Sequence, residues 1–122
     1  MIPEDEVLRF AAGMFKSVWA LELLLTLRRG RDRSWLSGEL IKELRSSQVV
    51  IVEALSNLVV AGLVVEEEGA RFRYHAGSPA IDEMVAEVEK LYATKPTVVM
   101  REIVTTPNLK LKILSDAFRI KE

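Results

Sequence analysis

Apolar residues recur at helical spacing over several stretches of the chain and alternate with polar residues over one. The first helical stretch, Phe15–Arg29, is apolar around almost its whole circumference, which is typical of a helix buried on more than one side. Gly30–Arg33 follows as a charged turn. A second, amphipathic helix is predicted over Gly38–Leu44, with Ser37 as its N-cap.

A third helix is predicted from Gln48 to Ala61. Either Ser46 or Ser47 is suited to cap its first turn, because a serine hydroxyl accepts a hydrogen bond from a backbone N–H that has no helical partner. Gly62 follows the helix and suits the left-handed conformation that ends many helices. Because the second helix ends at Leu44 and a serine at 46 or 47 caps the third, the two helices are expected to be joined by a short turn.

Strand-like alternation begins directly after this glycine and predicts a β-hairpin. Leu63–Glu67 and Arg71–His75 are the two predicted strands, and Glu68-Gly69 supplies the turn between them. Ser34–Leu36 is a candidate for an additional, very short strand.

Beyond the hairpin the pattern returns to helical spacing. Ser78 and Pro79 predict a helix start, with the serine as N-cap and the proline at the first helical position. Pro96 ends this helix, and Thr97 begins a short one to about Val104. A last helix is expected from Thr106-Pro107. The apolar stripe of the long helix consists of Ile81, Met84, Val85, Val88, Leu91 and Tyr92.

These elements predict a mainly α fold with a small β-hairpin, of the α+β class. Met1–Gly13 begins polar and acidic and is either a loose arm or a short leading helix. We divide the chain into this arm or short helix (1–14), a central domain (15–77) and a C-terminal helical extension (78–122).

Composition excludes several functional classes. The 122 residues suit one domain. The chain has no cysteine and one histidine, His75, so disulfides, thiolate or multi-histidine metal sites and a cysteine nucleophile are excluded. Since no phosphate-binding loop or nucleophile motif occurs either, we expect no enzyme activity, metal or cofactor. The most apolar run, Val18–Leu27, is too short for a membrane span, and we expect a cytoplasmic protein without a signal peptide.

A resemblance enters at the end of the third helix. Leu55–Val64 reads Leu-Ser-Asn-Leu-Val-Val-Ala-Gly-Leu-Val, which resembles the L-x-x-L-x-x-A-G-L-V ending of the recognition helix in small bacterial winged helix-turn-helix regulators of the ArsR and MarR type. The likeness covers roughly residues 15–76. It implies a winged helix-turn-helix with C-terminal helices, acting as a homodimeric DNA-binding regulator of transcription.

Under this resemblance the third helix would enter the major groove of double-stranded DNA, and the hairpin would act as the wing. The candidate DNA-binding residues lie on the second and third helices, on the turn between them and on the return strand. They are Lys42, Arg45, Ser46, Ser47, Gln48, Val49, Ser56, Arg71 and Arg73.

The third helix itself favours an alternative function. A helical wheel places Val49, Glu53, Ser56, Asn57 and Val60 on its outward face, and no basic residue lies between Gln48 and Gly62. The formal net charge of the chain is −1, whereas nucleic-acid binders usually carry a basic surplus. The alternative is a winged-helix module that binds a protein partner through this outward face, with Val49, Val50 and Val60 exposed.

Two further basic groups leave alternatives open. Arg28, Arg29, Arg31 and Arg33 either contact phosphate or an acidic partner, or close a helix and a solvated turn. Arg71 and Arg73 either contact DNA or pair across the hairpin with Glu66 to Glu68. The acidic residues of the following helix, among them Asp82 and Glu89, are expected on its solvated side.

The apolar first helix and the later apolar stripe predict either an intramolecular core or a dimer interface. We favour the interface. Its candidate residues are Trp19, Leu23, Met84, Val85, Val88, Leu91 and Tyr92.

Overall fold

The computed structural model describes residues 2–105 of the chain. Over this range the protein is mainly helical and contains one three-stranded antiparallel sheet, so the predicted α+β class is confirmed. The elements are α1 (Glu4–Met14), α2 (Val18–Arg29), β1 (Trp35–Leu36), α3 (Ser37–Leu44), α4 (Gln48–Val60), β2 (Val64–Glu67), β3 (Arg71–Tyr74), α5 (Pro79–Thr94) and α6 (96–105).

Helix α2 is the centre of the core. Its leucines at 21, 23, 24, 25 and 27 are all buried, including Leu23 and Leu25 on different sides of the helix. Burying one leucine side chain contributes about 2 kcal/mol, so this helix is a main source of stability. The prediction of a helix buried on more than one side is confirmed, and the covering elements belong to the same chain.

The leading segment is a helix rather than a loose arm. Helix α1 packs on α5, and Val7 and Ala11 lie in the same apolar cluster as Val85 and Val88. The three segments defined from the sequence therefore share one hydrophobic core.

Serine caps set three helix starts. The hydroxyls of Ser17, Ser47 and Ser78 each accept a hydrogen bond from the backbone N–H three residues later, at 3.1, 3.3 and 3.2 Å. The predicted caps Ser47 and Ser78 are confirmed. The predicted start at Phe15 was wrong, because α2 begins at Val18 after its N-cap Ser17, and Phe15 lies in the preceding turn, where it is 1% exposed.

Helix α3 starts without the predicted serine cap. Ser37 is its first residue, and the carboxylate of Glu39 instead accepts the N–H of Leu36 at 2.8 Å. Trp35, just before, packs against the chain at Gly30, where a Cβ would lie 2.6 Å from the indole. The indole N–H also donates to the Gly30 carbonyl at 3.2 Å, so a glycine is required there.

The sheet has the order β1-β3-β2. Gly62 adopts the predicted left-handed conformation (φ 79°), which turns the chain from α4 into β2. Gly69 and Ala70 turn it again with φ of 81° and 57°. In the resulting register Val65 faces Arg73, so the two lie on one side of the hairpin.

The C-terminal elements follow the predicted breaks. Helix α5 ends at Thr94, before Pro96, and α6 covers 96–105. The helix expected from Thr106-Pro107 lies outside the described residues. Within the described part no single helix is long and apolar enough to cross a membrane; α1 and α2 meet that threshold only as a pair bent by 102°.

Candidate nucleic-acid interface

Helices α3 and α4 are joined by a three-residue turn. Arg45 adopts the left-handed conformation (φ 52°), and its N–H donates to the carbonyl groups of Ile41 and Lys42. The N–H of Ser46 also donates to Ile41, at 3.1 Å. These bonds close α3 and direct the chain into α4, whose first turn begins at Gln48 and is exposed to solvent.

The side chains of α4 divide into an inner and an outer face. Ile51, Ala54, Leu55 and Leu58 are buried against the core. The outer face is polar at a few positions but mostly apolar, and Val49 and Val60 are 68% and 81% exposed. The exposed residues of this outer face are Gln48, Val49, Val52, Glu53, Ser56, Val59 and Val60.

Asn57 was predicted on the outer face, and that prediction was wrong. Its side chain is 8% exposed and fixes the turn between α1 and α2. The amide oxygen accepts the N–H of Lys16 at 2.9 Å, and the amide nitrogen donates to the Met14 carbonyl at 3.0 Å. An asparagine can satisfy both backbone groups at once, which explains a polar residue at the edge of the buried face.

The arginine cluster (Arg28, Arg29, Arg31 and Arg33) is bound within the chain. Arg28 donates to Asp82 at 3.3 Å and to Glu89 at 3.0 Å. Arg29 reaches Glu89, and Arg31 reaches Asp82. The side chain of Arg28 is only 17% exposed. The interpretation of this cluster as the end of a helix is therefore supported, and its guanidinium groups already have anionic partners.

Asp82 and Glu89 were expected on a solvated face, and for these two residues that expectation was wrong. Their spacing of seven places both on the side of α5 that meets the end of α2. A sequence signal for these ion pairs does exist. The apolar helix α2 ends in several arginines, and two carboxylates follow at a spacing of seven on a later helix.

Tyr74 completes this ion-pair network. Its hydroxyl donates to Asp82 at 2.6 Å. This hydrogen bond, together with the neighbouring Arg28, holds the pKa of the Asp82 carboxyl below its usual range. Burial and the Asp82 carboxylate raise the pKa of Tyr74 to about 12. The network thus joins α2, β3 and α5 around one carboxylate.

A second, half-buried tyrosine makes a similar contact in the first half of α2. The hydroxyl of Tyr92 donates to the carboxylate of Glu22. Burial, and then this carboxylate, raise the pKa of Tyr92 to about 12. Glu22 is the acidic residue that interrupts the apolar pattern of α2, and Tyr92 accounts for it.

Arg33 and Arg73, which flank the sheet, also have partners within the chain. Arg33 binds Glu39 at 2.7 Å and lies 3.9 Å from the centre of the Trp35 ring. The Leu36 N–H and, secondarily, Arg33 lower the pKa of Glu39. Arg73 binds Glu67 at 3.2 Å and the Arg31 carbonyl at 3.3 Å, so cross-strand pairing occurs for Arg73.

Within residues 2–105, five cations form no ion pair with a described residue: Lys16, Lys42, Arg45, Arg71 and Arg101. Three of them, Lys42, Arg45 and Arg71, lie exposed on the α3–α4 turn region and the hairpin. We call these three the turn-and-hairpin cations. The same elements also expose Glu43, Glu53, Glu66 and Glu68, so the cations are separated by carboxylates.

An apolar groove separates α4 from the sheet. It encloses about 380 Å³ and is lined mainly by Val52, Leu55, Val59, Val60 and Phe72. Ser56, a candidate DNA-binding residue, also lines it. Of the remaining candidates, Ser46 is half-buried and Ser47 is occupied as the α4 cap.

The candidate dimer residues occupy different places. Leu23, Val85 and Val88 are fully buried within the single chain. These three residues therefore belong to the intramolecular core, and the preference for a dimer interface was wrong for them. The sequence pattern did not reveal that α1 packs on α5 and buries part of its apolar stripe. Met84, Leu91 and Tyr92 are half-buried against the same core, and Trp19 is 40% exposed.

Among the described residues, no cluster of histidine and acidic side chains could hold a metal ion. Comparison with protein families, with curated proteins and with solved structures finds no match for this chain.

Proposed function

We propose that the chain is a winged helix-turn-helix protein that binds double-stranded DNA as a homodimeric regulator of transcription. The order α2, β1, α3, α4 and then the β2–β3 hairpin supports this fold, because β1 pairs with the hairpin and α3 and α4 are joined by a tight turn. In this assignment α4 is the recognition helix and the hairpin is the wing.

The observation that carries the proposal is the position of the turn-and-hairpin cations. Lys42, Arg45 and Arg71 form no ion pair within the described residues, whereas every member of the arginine cluster binds a carboxylate of α5 or α3. Phosphate contacts supply most of the affinity of a DNA-binding protein. We therefore assign phosphate contacts to these three residues, with Arg73 adding a contact only when it leaves Glu67.

Base contacts fall to the exposed first turns of α4. Gln48 can form paired hydrogen bonds with adenine, and Val49 can contact a thymine methyl group. Ser56 lies two turns further along the same helix. Glu53, the charged residue between them, accepts hydrogen bonds only, so it restricts contacts to base amino groups such as that of cytosine.

A homodimer would double these contacts. Two protomers present six turn-and-hairpin cations, which predicts a slope of about −5 for log K against log salt on duplex DNA. We assign the dimer interface to apolar side chains of α5 and α6. They are the exposed Val98 and Val104 of α6 and the half-buried Met84 and Leu91 of α5. Sedimentation analysis of the full chain tests this state directly.

Fluorescence anisotropy with pooled fragments of genomic DNA tests DNA binding. The triple variant Lys42→Ala, Arg45→Ala, Arg71→Ala should bind at least about tenfold more weakly at low salt and show a much shallower salt slope. The matched control Arg9→Ala, Lys90→Ala, Lys95→Ala removes the same charge from exposed positions on α1, on α5 and at its end. Equal losses in both variants, or no binding by the parent protein at low salt, would refute the proposal.

A second candidate function, a winged-helix module for a protein partner, is favoured by the composition of the outer face. Four valines are exposed on α4, the helix has no basic residue, and the groove beside it is apolar. Protein interfaces prefer such surfaces, which lack charge at their centre.

Reciprocal variants separate the two functions. For a protein partner, Val52→Asp with Val60→Asp should remove a partner that co-purifies with the parent chain, and the triple cation variant should retain it. For DNA, the triple cation variant should lose most of its salt dependence, whereas the valine variant, whose added carboxylates repel phosphate, should bind more weakly but keep the salt slope set by Lys42, Arg45 and Arg71. Retention of the partner by the valine variant would contradict the second candidate.

A further inference from the structure

Trp19 is a large aromatic residue that the described chain leaves partly uncovered. It is 40% exposed, although tryptophan is usually well buried. Two grooves share it as a wall. The first Trp19 groove, of about 410 Å³, runs along α4 past Val50, Glu53 and Val60. The second, of about 560 Å³, runs past Leu44 and Tyr92 to Met100 of α6.

The two grooves meet at Trp19, and their linings mix apolar with polar side chains. Met100 lines one groove, and Val60, which is 81% exposed, lines the other. The carboxylates of Glu22, Glu43 and Glu53 line the grooves, against the cations of Lys16 and Arg45. A complementary occupant would combine apolar side chains with a small excess of positive charge.

The rest of this chain has that composition. Residues 106–122 follow α6 directly, and their length reaches about 25 Å as a helix and about 55 Å when extended. They carry Lys110, Lys112, Arg119 and Lys121 against Asp116 and Glu122. Their apolar residues are Leu109, Leu111, Ile113, Leu114, Phe118 and Ile120.

We propose that residues 106–122 of the same chain bind in the two Trp19 grooves and cover Trp19 and Val60. A covalently joined segment acts at an effective concentration in the millimolar range when it can span to its site. Binding within the chain is therefore favoured over binding to a second copy at ordinary protein concentrations. The inference does not rest on DNA binding, but Arg45 and Ser56, which are assigned to DNA above, line the grooves, so a bound C-terminal segment and DNA would compete for them.

Disulfide trapping tests the proposal, since the chain has no cysteine of its own. Val60→Cys is combined in turn with Leu111→Cys, Ile113→Cys and Leu114→Cys in the full chain. Under mild oxidation at low protein concentration, at least one pair should form an intramolecular disulfide, at a rate independent of protein concentration. The products are resolved by non-reducing electrophoresis and mass spectrometry.

The matched control replaces Val60→Cys with Ala80→Cys. Ala80 is exposed at the start of α5, beside the end of α2 that is distant from Trp19. Its pairs should cross-link at least about tenfold more slowly. Equal rates with Ala80→Cys, cross-linking only between chains, or no cross-link at any position would each overturn the proposal.

Tryptophan emission gives a second measurement without cysteines. Leu111→Asp with Ile113→Asp should expose Trp19 and shift the emission of the full chain to longer wavelength. Trp35 is held by its bond to Gly30 and should not contribute to the shift. The shift should disappear when Trp19→Phe is added. An unchanged emission spectrum would overturn the proposal.

Discussion

The two basic regions of the molecule are alike in composition but not in environment. The arginine cluster is nearly continuous in sequence, and by composition it would be the more obvious phosphate site. In the structure it is bound to Asp82, Glu89 and Glu39. The turn-and-hairpin cations are scattered along the sequence, yet they lie exposed and form no ion pair with described residues.

The difference comes from which helix packs beside each region. The end of α2 faces α5, and a helix C-terminus itself favours cations, so both local and tertiary charge stabilise the cluster there. Lys42 lies in the last turn of α3 and Arg45 caps its end, where neither pairs with a described carboxylate, and Arg71 lies on the outer side of the hairpin. Availability for a ligand is thus decided by the neighbouring element and not by the number of cations in a run.

The largest expected effect comes from removing the carboxylate at the centre of the cluster. Asp82→Ala leaves Tyr74 without its acceptor and deprives Arg28 of one partner, and both are well buried. We expect the free energy of unfolding to fall by about 2 kcal/mol. Urea unfolding measures this loss. Glu83→Ala, the exposed neighbour, should change stability by less than about 0.5 kcal/mol; an equal loss in both would mean that the network does not stabilise the fold.

Removing single arginines sharpens the comparison within the cluster. Arg28→Ala should cost about 1 kcal/mol, because its guanidinium is mostly buried and bonds two carboxylates. Arg31→Ala should cost less than about 0.5 kcal/mol, since its side chain is 56% exposed and Asp82 keeps Tyr74. Thermal unfolding of both variants checks the order. A reversed order would show that exposure does not govern these pairs.

Acid should weaken the arginine cluster through its central carboxylate, Asp82. The pKa of Asp82 is lowered in the folded protein, first by Tyr74 and then by Arg28. Its contribution is therefore complete above the pKa of the unfolded chain, near 4, and is lost as pH falls through the lower folded value. Melting temperature should decline from pH 5 to pH 3, by less than Asp82→Ala costs, because a protonated carboxyl still accepts a hydrogen bond.

The variant Asp82→Asn isolates this part of the acid response. Its melting temperature should be lower at pH 7 but should change less between pH 5 and pH 3 than that of the parent protein. Parallel curves for the two proteins would mean that other carboxylates cause the acid sensitivity.

The contrast between the two regions also marks what the sequence could predict. Helix starts at Ser47 and Ser78 and the turn at Gly62 depend on residues next to each other in the chain, so local chemistry predicts them. The partnership of Arg28 with Asp82 spans 54 residues, and the burial of Asn57 depends on a turn 41 residues earlier. Neither could be predicted without knowing which helices pack together.

For the candidate site, the sequence predicted where the cations lie better than which partners they bind. The positions of Lys42, Arg45 and Arg71 followed from the predicted turn and hairpin. The engagement of Arg73 by Glu67 depended on the strand register, which pattern alone left open. Favouring an interface for Val85 and Val88 failed because α1 covers α5, and the polar start of the chain concealed that apolar contact.

Arg45 is the position where a substitution is expected to raise stability slightly, and it gives the sharpest test of the comparison. Arg45 holds a left-handed conformation that disfavours a residue with a Cβ. Arg45→Gly removes that strain, and the more flexible unfolded chain offsets part of the gain, so we expect a net increase of about 0.5 kcal/mol in thermal unfolding. If the proposed function holds, DNA affinity should nevertheless fall, because Arg45 is assigned a phosphate contact. A cation of the arginine cluster should behave in the opposite way: Arg28→Ala lowers stability and, since its charge is already neutralised, leaves DNA affinity at matched folded fraction nearly unchanged. If Arg45→Gly keeps full affinity while Arg28→Ala loses it, the assignment of the two regions would have to be exchanged.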